Sequence, residues 1–371
     1  MSDQPLLSAS PADGWRDLAL APPRAVEPPA GRARLRVELE DFQVDEELGF
    51  AASGQGEHVL LQVRKRGANT GWVARELAKL AGARDFDVGY AGLKDRRAVT
   101  TQWFTVPARR RPASEWSQVS GEGFAVLSAQ PHARKLPRGA LAANRFRIVL
   151  RDFAGDAAAL ERRVSEIAGS GVPNYFGPQR FGRELSNLER LMSSTDADTV
   201  VPAGRGSGSG AAFELSAARS LIFNAVLAAR VQRGDWHRLH VGERANLDGS
   251  NSTFLVESVD STLEGRLASL DIHPTGPLFG RGESGITGEI AALESQLSER
   301  FPALTARLLG DRLEAARRPL RVAVRDLALE WLEPGRIACL SFRLRPGSFA
   351  TTVLRELIDD ASGFAGEEDH A

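Results

Sequence analysis

The chain has 371 residues, 42% hydrophobic and 26% charged, with a formal net charge of −1 from 47 basic and 48 acidic side chains. That length suits roughly two or three domains with full cores and excludes wholesale disorder. The lone cysteine, Cys339, excludes an intrachain disulfide and a cysteine-rich zinc site and suits a reducing compartment, while the near-neutral sum by itself argues against a nucleic-acid binder.

In chain order, residues 1–30 are rich in proline and alanine, with Pro22-Pro23 and Pro28-Pro29, and are expected to form a flexible tail. This start has no basic region followed by an apolar run, so no secretory signal is expected. No stretch reads as the roughly 18–20 apolar residues of a membrane helix. The expectation is a soluble cytoplasmic protein. Arg32 to Val44 alternates through Leu35, Val37 and Leu39 as a strand, continuing into an acidic stretch that holds Phe42. Glu57 to Arg64 is a clearer strand. Asn69 and Thr70 read as a helix cap, Trp72 to Leu80 has helical spacing, and Gly82 is the stop. Thr100 to Val106 is a further strand, Arg109-Arg110-Arg111-Pro112 an exposed basic turn, and Phe124 to Leu127 a short strand. His132 to Arg138 is basic and not helical throughout. Asn144 to Arg151 alternates strictly, with Phe146, Ile148 and Leu150 on one face and arginines on the other. Residues 156–168 then read as an amphipathic helix.

GVPNYFGPQRFG, residues 171–182, has too many glycines and prolines for regular structure and too many aromatics for a disposable linker. Gly204 to Gly210 reads as a flexible loop, and Ser216 as the cap of a helix from Ala217 to Gln232. Residues 235–290 mix short strands and turns. Glu289 to Leu309 and Arg312 to Arg318 look helical, and Arg336 to Leu344 is a strand. Pro346 to Phe349 turns into a helix over Thr351 to Asp359, and Gly363 to Ala371 is a polar tail.

The charge is unevenly spread. Between Ala91 and Arg151 there are twelve Lys or Arg against three Asp or Glu, and a local basic field matters more to a polyanion than the whole-chain sum. Within it lies Asp95, with Lys94 before it and Arg96 and Arg97 after it. Gly89 and Gly92 permit sharp backbone or close approach, and the following threonines and Trp103-Phe104 form a strand. Asp95 therefore belongs to a loop entering a strand, a place where catalytic residues are often carried. The plainer reading is a hairpin turn with solvated charges. Flanking cations favour the ionised form of a carboxylate, and a lone acid suits nucleophilic or single-base work better than paired-acid chemistry.

Other constellations are weaker. His237 and His240 lack a third ligand at zinc-site spacing and read as surface histidines. The glycine run at 204–210 lacks the Gly-Lys-Ser/Thr ending of a phosphate loop. Cys339 alternates within an apolar strand as a core residue. Phe42, Phe146, Tyr175, Phe176, Phe181 and Phe349 each sit among glycines or arginines. Core packing accounts for most phenylalanines, but Phe349 stands at a helix entrance, where a side chain can protrude. Aromatics beside basic residues suit stacking of an extruded base above a phosphate-binding surface.

AGLKDRRAVTTQ, residues 91–102, resembles the signature of the TruD family of tRNA pseudouridine synthases. GALAANRF at 139–146, GVPNYFGPQRFG at 171–182 and PGSFAT at 346–351 match in the same order, and EDFQV at 40–44 and GANT at 67–70 also fit. The likeness runs from about Arg34 to Leu357. It implies an enzyme that isomerises uridine to pseudouridine, typically at position 13 in the D-arm of tRNA, with tRNA as partner and no membrane association. Asp95 falls on the family's catalytic aspartate. Phe42, Asn144 and Phe349 fall on substrate-contacting positions. Phe146 falls where related synthases carry tyrosine, Arg36 falls where some members have a lysine that would pair with the aspartate, and Lys94 is expected at the substrate. The implied fold class is α+β: a catalytic domain of mixed, mostly antiparallel sheet with flanking helices over 31–170 and 323–360, and an inserted family-specific α/β domain over 171–322. Tails over 1–30 and 361–371 complete this division. The reaction involves no redox or group-transfer step, so no cofactor and no metal is expected.

On this reading the target nucleotide is flipped into a pocket. Asp95 attacks the uracil ring or the ribose C1′, or assists glycal formation. Phe42 and Phe349 hold the base, Asn144 orients the carboxylate or bonds sugar or base, and Arg109 to Arg111 and Arg134 to Arg138 hold phosphates. A non-catalytic RNA-binding protein would explain the basic excess and the aromatics equally well, but not the charge concentrated around one acid. A nucleoside hydrolase would release free uracil.

Overall fold

Alternation of apolar and polar residues is the strongest signal in the chain, and it builds one long sheet. A computed structural model describes residues 11–193, 209–310 and 313–361, and the chain divides into two units with breaks after Pro28, Ala168 and Ala323.

In the unit that carries Asp95, the strand order is Arg325–Glu333, Ile337–Leu344, Ala143–Gly155, Phe42–Glu47, Val99–Pro107, His58–Arg66, Phe124–His132 and Ser120–Gly121. Gly31–Arg34 joins alongside Ala143–Gly155, and Gly89–Tyr90 alongside Val99–Pro107. Neighbours along the main order are antiparallel with one exception: Phe42–Glu47 runs parallel to Val99–Pro107, with Gln43 opposite Val99. The helix Thr70–Ala81 buries Val73, Ala74, Leu77, Ala78 and Ala81 on Val59, Leu61, Val63, Phe104 and Val106 of the sheet. Each fully buried Leu or Val contributes about 1.5–3 kcal/mol. The helix ends where the sequence marks its limits. The Asn69 side chain accepts from the N–H of Gly71 at 2.8 Å and of Trp72 at 3.4 Å, and Gly82 closes the helix in the left-handed region at φ 60°, where a Cβ is strained.

The strand expected from Arg32 to Val44 is broken in the middle. Gly31–Arg34 ends, Arg36 adopts φ 53°, and a 3-10 turn at Leu39–Asp41 precedes Phe42. The cause is an ion pair with a buried acid. Asp41, 1% exposed, accepts the Glu38 N–H and receives both arms of Arg151 at 2.8 Å. These bonds favour a turn over an extended chain.

The second unit forms around the helix Ser209–Gln232, where Leu221, Ile222, Phe223, Val226 and Leu227 are all fully buried. A four-stranded sheet, ordered Thr253–Leu255, Arg244–Leu247, Ile272–Leu278 and Ala316–Pro319, belongs to the same unit. Several expectations change here. Within the proline-rich start, residues 11–20 are helical (Pro11–Leu20), and Trp15 and Leu18 are buried in this core; two apolar side chains one helical turn apart outweigh the flanking prolines. Ser216 is not a cap but lies inside the long helix, where its carbonyl accepts from Ser220. Part of the expected helix at 312–318 is a strand, Ala316–Pro319, because Arg317 and Arg318 point to opposite faces with separate partners. Ala212–Gln232 is long and apolar enough to cross a membrane, contrary to the reading of the bare sequence, but 72% of its most apolar stretch is buried. Of the glycine run at 204–210, residues 204–208 lie outside the described residues, as does the polar tail from Gly363, while Ser209 and Gly210 begin the helix.

Candidate active site

Parallel strands begin at the same edge of a sheet, so the residues that lead into them are brought side by side. Here these are Arg36 to Asp41, before Phe42–Glu47, and the loop 91–98, before Val99–Pro107. The result joins residues 59 apart in sequence. The Arg36 guanidinium donates to the Asp95 carboxylate at 2.6 Å, with 15% and 27% of the two side chains exposed. The same guanidinium covers the Phe42 ring, 4.1 Å from Cζ to the centroid. Phe42 meets Phe146 edge-on at 6.3 Å, and Phe146 stacks on Phe342 at 5.2 Å. Positions 36, 42, 95 and 146 thus supply a cation, an acid and an aromatic wall in one place.

The Asp95 loop is fixed from below by a buried polar set. Lys65, 1% exposed, directs its ammonium at three backbone carbonyls: Asp95 at 2.7 Å, Ala68 at 2.9 Å and Lys94 at 3.3 Å. Burial lowers the pKa of the Lys65 ammonium to about 8, with nearby Asp95 opposing the shift. Thr70 Oγ1 accepts the Lys94 N–H at 3.1 Å and donates to Gln102 Oε1 at 2.9 Å. Gln102 in turn donates to the Gly92 carbonyl at 3.2 Å. Close approach explains Gly89, where a Cβ would lie 2.5 Å from Thr105 Oγ1 and 2.6 Å from the Leu136 carbonyl. Gly92 has no such constraint: a Cβ there would meet nothing nearer than Lys94 Nζ at 3.8 Å.

Lys94, expected at the substrate, is engaged inside the fold. Its ammonium lies 2.6 Å from Glu46 Oε1, and Glu46 is fully buried. Glu46 also accepts the Trp103 N–H at 2.9 Å. A carboxylate in that position requires a counter-charge, and Lys94 supplies it. Arg96 and Arg97 are exposed, and Arg96 reaches the Gly67 carbonyl at 3.4 Å.

Asn144 sits opposite Glu46 on the neighbouring strand. It is buried, and its Oδ1 accepts no hydrogen bond within the described residues. Phe349 precedes the helix Ala350–Leu357 and is 53% exposed. No hydrogen bond, ion pair or ring contact joins either residue to Asp95. Of the basic segments, Arg109, Arg110, Arg134 and Arg138 are exposed. Arg111 lies over Trp116 at 5.1 Å, Arg138 lies over Tyr90 at 3.8 Å, and Lys135 donates to the Phe86 carbonyl.

Lys65, Glu46 and Gln102 are the participants that reading the sequence missed. Each carried a signal. Lys65 continues the inward parity of Val59, Leu61 and Val63, Glu46 that of Phe42 and Val44, and Gln102 that of Phe104 and Val106. Charged or amide side chains at core-facing strand positions need partners, and here the partner is the Asp95 loop.

The mixed sheet with flanking helices is an α+β fold of the pseudouridine synthase class. A crystal structure from Methanosarcina mazei assigned to tRNA pseudouridine synthase D (TruD) superposes with a TM-score of 0.71 over 92% of this chain and 97% of that one, at 21% identity. The sequence profile of tRNA pseudouridine synthase D (TruD) matches residues 25–191 and 213–357. Proteins named tRNA pseudouridine synthase D are 46% identical in Methylococcus capsulatus, over 93% of this chain and 95% of that one, and 45% identical in Nitrosococcus oceani, over 90% and 92%. The chain belongs to the TruD family.

Proposed function

We propose that this protein isomerises uridine to pseudouridine in tRNA, at position 13 of the D-arm, with Asp95 as the nucleophile. The relatives' shared name supports the reaction and its substrate. The observation that carries the residue assignment is the Arg36–Asp95 pair at 2.6 Å beside the Phe42 ring. The unit holding this pair is the catalytic domain, the unit over 169–323 is the family's insert, and the enzyme acts in the cytoplasm.

In the reaction the bond from ribose C1′ to uracil N1 breaks, the base turns, and a bond from C1′ to C5 forms. The hydrogen on C5 leaves as a proton and N1 takes one up, so substrate and product are isomers and no electrons enter or leave. A uridine within folded RNA must first be flipped out. Attack at C1′, addition to the uracil ring and proton abstraction toward a glycal are the three routes open to the Asp95 carboxylate. Arg36 holds that carboxylate oriented and spans the gap to Phe42. Phe42 and Phe146 form the apolar wall that keeps the detached base from escaping. Asn144 Oδ1 offers a vacant acceptor to the substrate, and Phe349 stacks on the base. Arg109, Arg110 and Arg134 hold phosphates, making affinity fall with salt.

The test is purified protein with unmodified tRNA, scored by carbodiimide treatment and primer extension. Pseudouridine should appear with the wild type and vanish with Asp95→Asn. Full activity in that variant removes the assignment. Free uracil on chromatography would make the protein a hydrolase instead.

A further inference from the structure

The segment GVPNYFGPQRFG carries an arginine among aromatics. Packing explains its rings. Tyr175 and Phe181 are buried. Asn224 clasps the backbone of Phe176 from both sides, accepting its N–H at 2.9 Å and donating to its carbonyl at 3.0 Å. Packing does not explain the charge gathered around Phe176. Arg318 Cζ lies 4.2 Å from the Phe176 ring centre and Arg180 Cζ 5.4 Å from it. Arg180 Nε donates to Ser220 Oγ at 3.2 Å, and Arg219 is the preceding residue of that helix. Arg180 is close enough to disfavour the charge on both Arg219 and Arg318.

Among the described residues, all three guanidiniums hold only neutral acceptors. Arg219 takes the carbonyls of Leu278 at 2.8 Å and Glu314 at 2.9 Å, and Arg318 takes Asn174 Oδ1 at 2.6 Å. The Nε atoms of Arg219 and Arg318 are buried without an acceptor within the described residues. No carboxylate of the described residues offsets any of the three, and burial lowers the pKa of all of them, that of Arg318 to about 10. Other arginines of this unit are treated differently. Arg230 is paired with Asp235 and Glu243, and Arg317, the immediate neighbour of Arg318, is paired with Glu294 at 2.7 Å. Gathering like charges in a partly desolvated place without a counter-ion is unfavourable. An anion with several oxygen acceptors would offset that, and the planar guanidinium fork matches phosphate.

We infer that Arg180, Arg219 and Arg318 form a phosphate site in the 169–323 unit that takes a backbone phosphodiester of the RNA substrate. The inference rests on the tRNA reading above and deepens it. The site reads no base: it supplies affinity and register, and bound RNA supplies the counter-charge that no described carboxylate does.

The test is tRNA binding by fluorescence anisotropy across a salt series from about 50 to about 300 mM, the range over which counterion release is legible. Arg180→Gln and Arg318→Met should each weaken binding about fivefold at low salt and reduce the slope of log K against log salt by about 0.7–0.9 for each phosphate no longer neutralised. Arg233→Gln, which removes a cation already near Asp235 and Glu289, should leave both quantities at wild-type values. Arg180 is exposed, so its variant carries the test if Arg318→Met fails to fold. An unchanged slope and affinity in a natively folded Arg180→Gln overturns the site. Inorganic phosphate is the second probe. If it raises the melting temperature of the wild type but not of Arg180→Gln while the tRNA slopes coincide, the site takes free phosphate and the RNA assignment falls. These binding measurements are independent of turnover, so a wild type that binds with the expected slope yet makes no pseudouridine would refute the proposed function and not this site.

Discussion

Asp95 and Phe176 are the centres of two clusters of positive charge that are balanced in opposite ways. Around Asp95 the cations Arg36, Lys94 and Lys65 are each committed inside the fold: Arg36 to the carboxylate itself, Lys94 to Glu46, and Lys65 to three carbonyls. Arg180 and Arg318 lie over Phe176 with Arg219 close to Arg180, and the three share no acid within the described residues. The difference teaches that the number of basic residues is a poor guide to where a polyanion binds. A carboxylate that must be held in one geometry is surrounded by compensated charge, which is rigid. A surface of the kind we infer at Phe176 leaves its compensation to the phosphate it receives.

The largest effect that could break this comparison is at the acid itself. Asp95→Asn should lower the single-turnover rate on tRNA by a factor on the order of 10⁴ while leaving binding within about twofold of wild type; parallel loss of binding would mean the carboxylate organises the RNA surface as well. Lys94→Met should cost about 3–5 kcal/mol of unfolding free energy in urea titration, because it strands the buried Glu46. A loss under about 1 kcal/mol would show that the Trp103 N–H and Gln102 suffice for Glu46. Phe349→Ala should reduce turnover roughly 10²-fold, with binding retained and an unchanged melting temperature, since the side chain is 53% exposed; equal loss of binding and turnover would make the residue structural.

A smaller effect sharpens the comparison through pH. The pKa of the Lys65 ammonium falls from 10.5 to about 8 on burial. Between those values the native protein has released a proton that the unfolded chain still holds, so this group's contribution to unfolding free energy rises with pH from about 8 to 10.5. The neutral amine, however, has fewer N–H donors than the three carbonyls it serves. We expect the single-turnover rate to fall as pH passes about 8 and Lys65→Met to be slower at every pH without that limb. A basic limb of the same midpoint in the variant would assign it to another group. The smallest effect is the change of salt slope in Arg180→Gln, which reads the uncompensated cluster alone.

The grouping of Arg36, Phe42, Asp95 and Phe146 was legible in the sequence: a lone acid among cations, in a loop entering a strand, marked position 95, and the family likeness marked 36, 42 and 146, whereas 144 and 349, marked the same way, have no such contact with Asp95. The partnership of Lys94 was not legible, because its acid lies 48 residues away and local charge counting assigns every nearby cation to Asp95. Lys65 was within reach, since a lysine at a core-facing strand position signals a buried donor, but what it would bond depended on a loop 30 residues on.

The sequence by itself determined most strands of the long sheet and the caps at Asn69 and Gly82, because periodicity and capping are local properties of a chain; the edge strand Arg325–Glu333 and the break between Arg34 and Phe42 came only with the fold. The family likeness pointed to Arg36 as the partner of Asp95, but no local property of the chain brings the two together. That was decided by one parallel strand pair, which sets Arg36 beside a loop 59 residues away, and by the pairing of Arg151 with buried Asp41, which turns the chain before Phe42. Nor could the sequence separate Arg317, which meets Glu294, from Arg318, which meets no acid within the described residues. Adjacent residues of a strand face opposite ways, and only the tertiary structure determines what waits on each side.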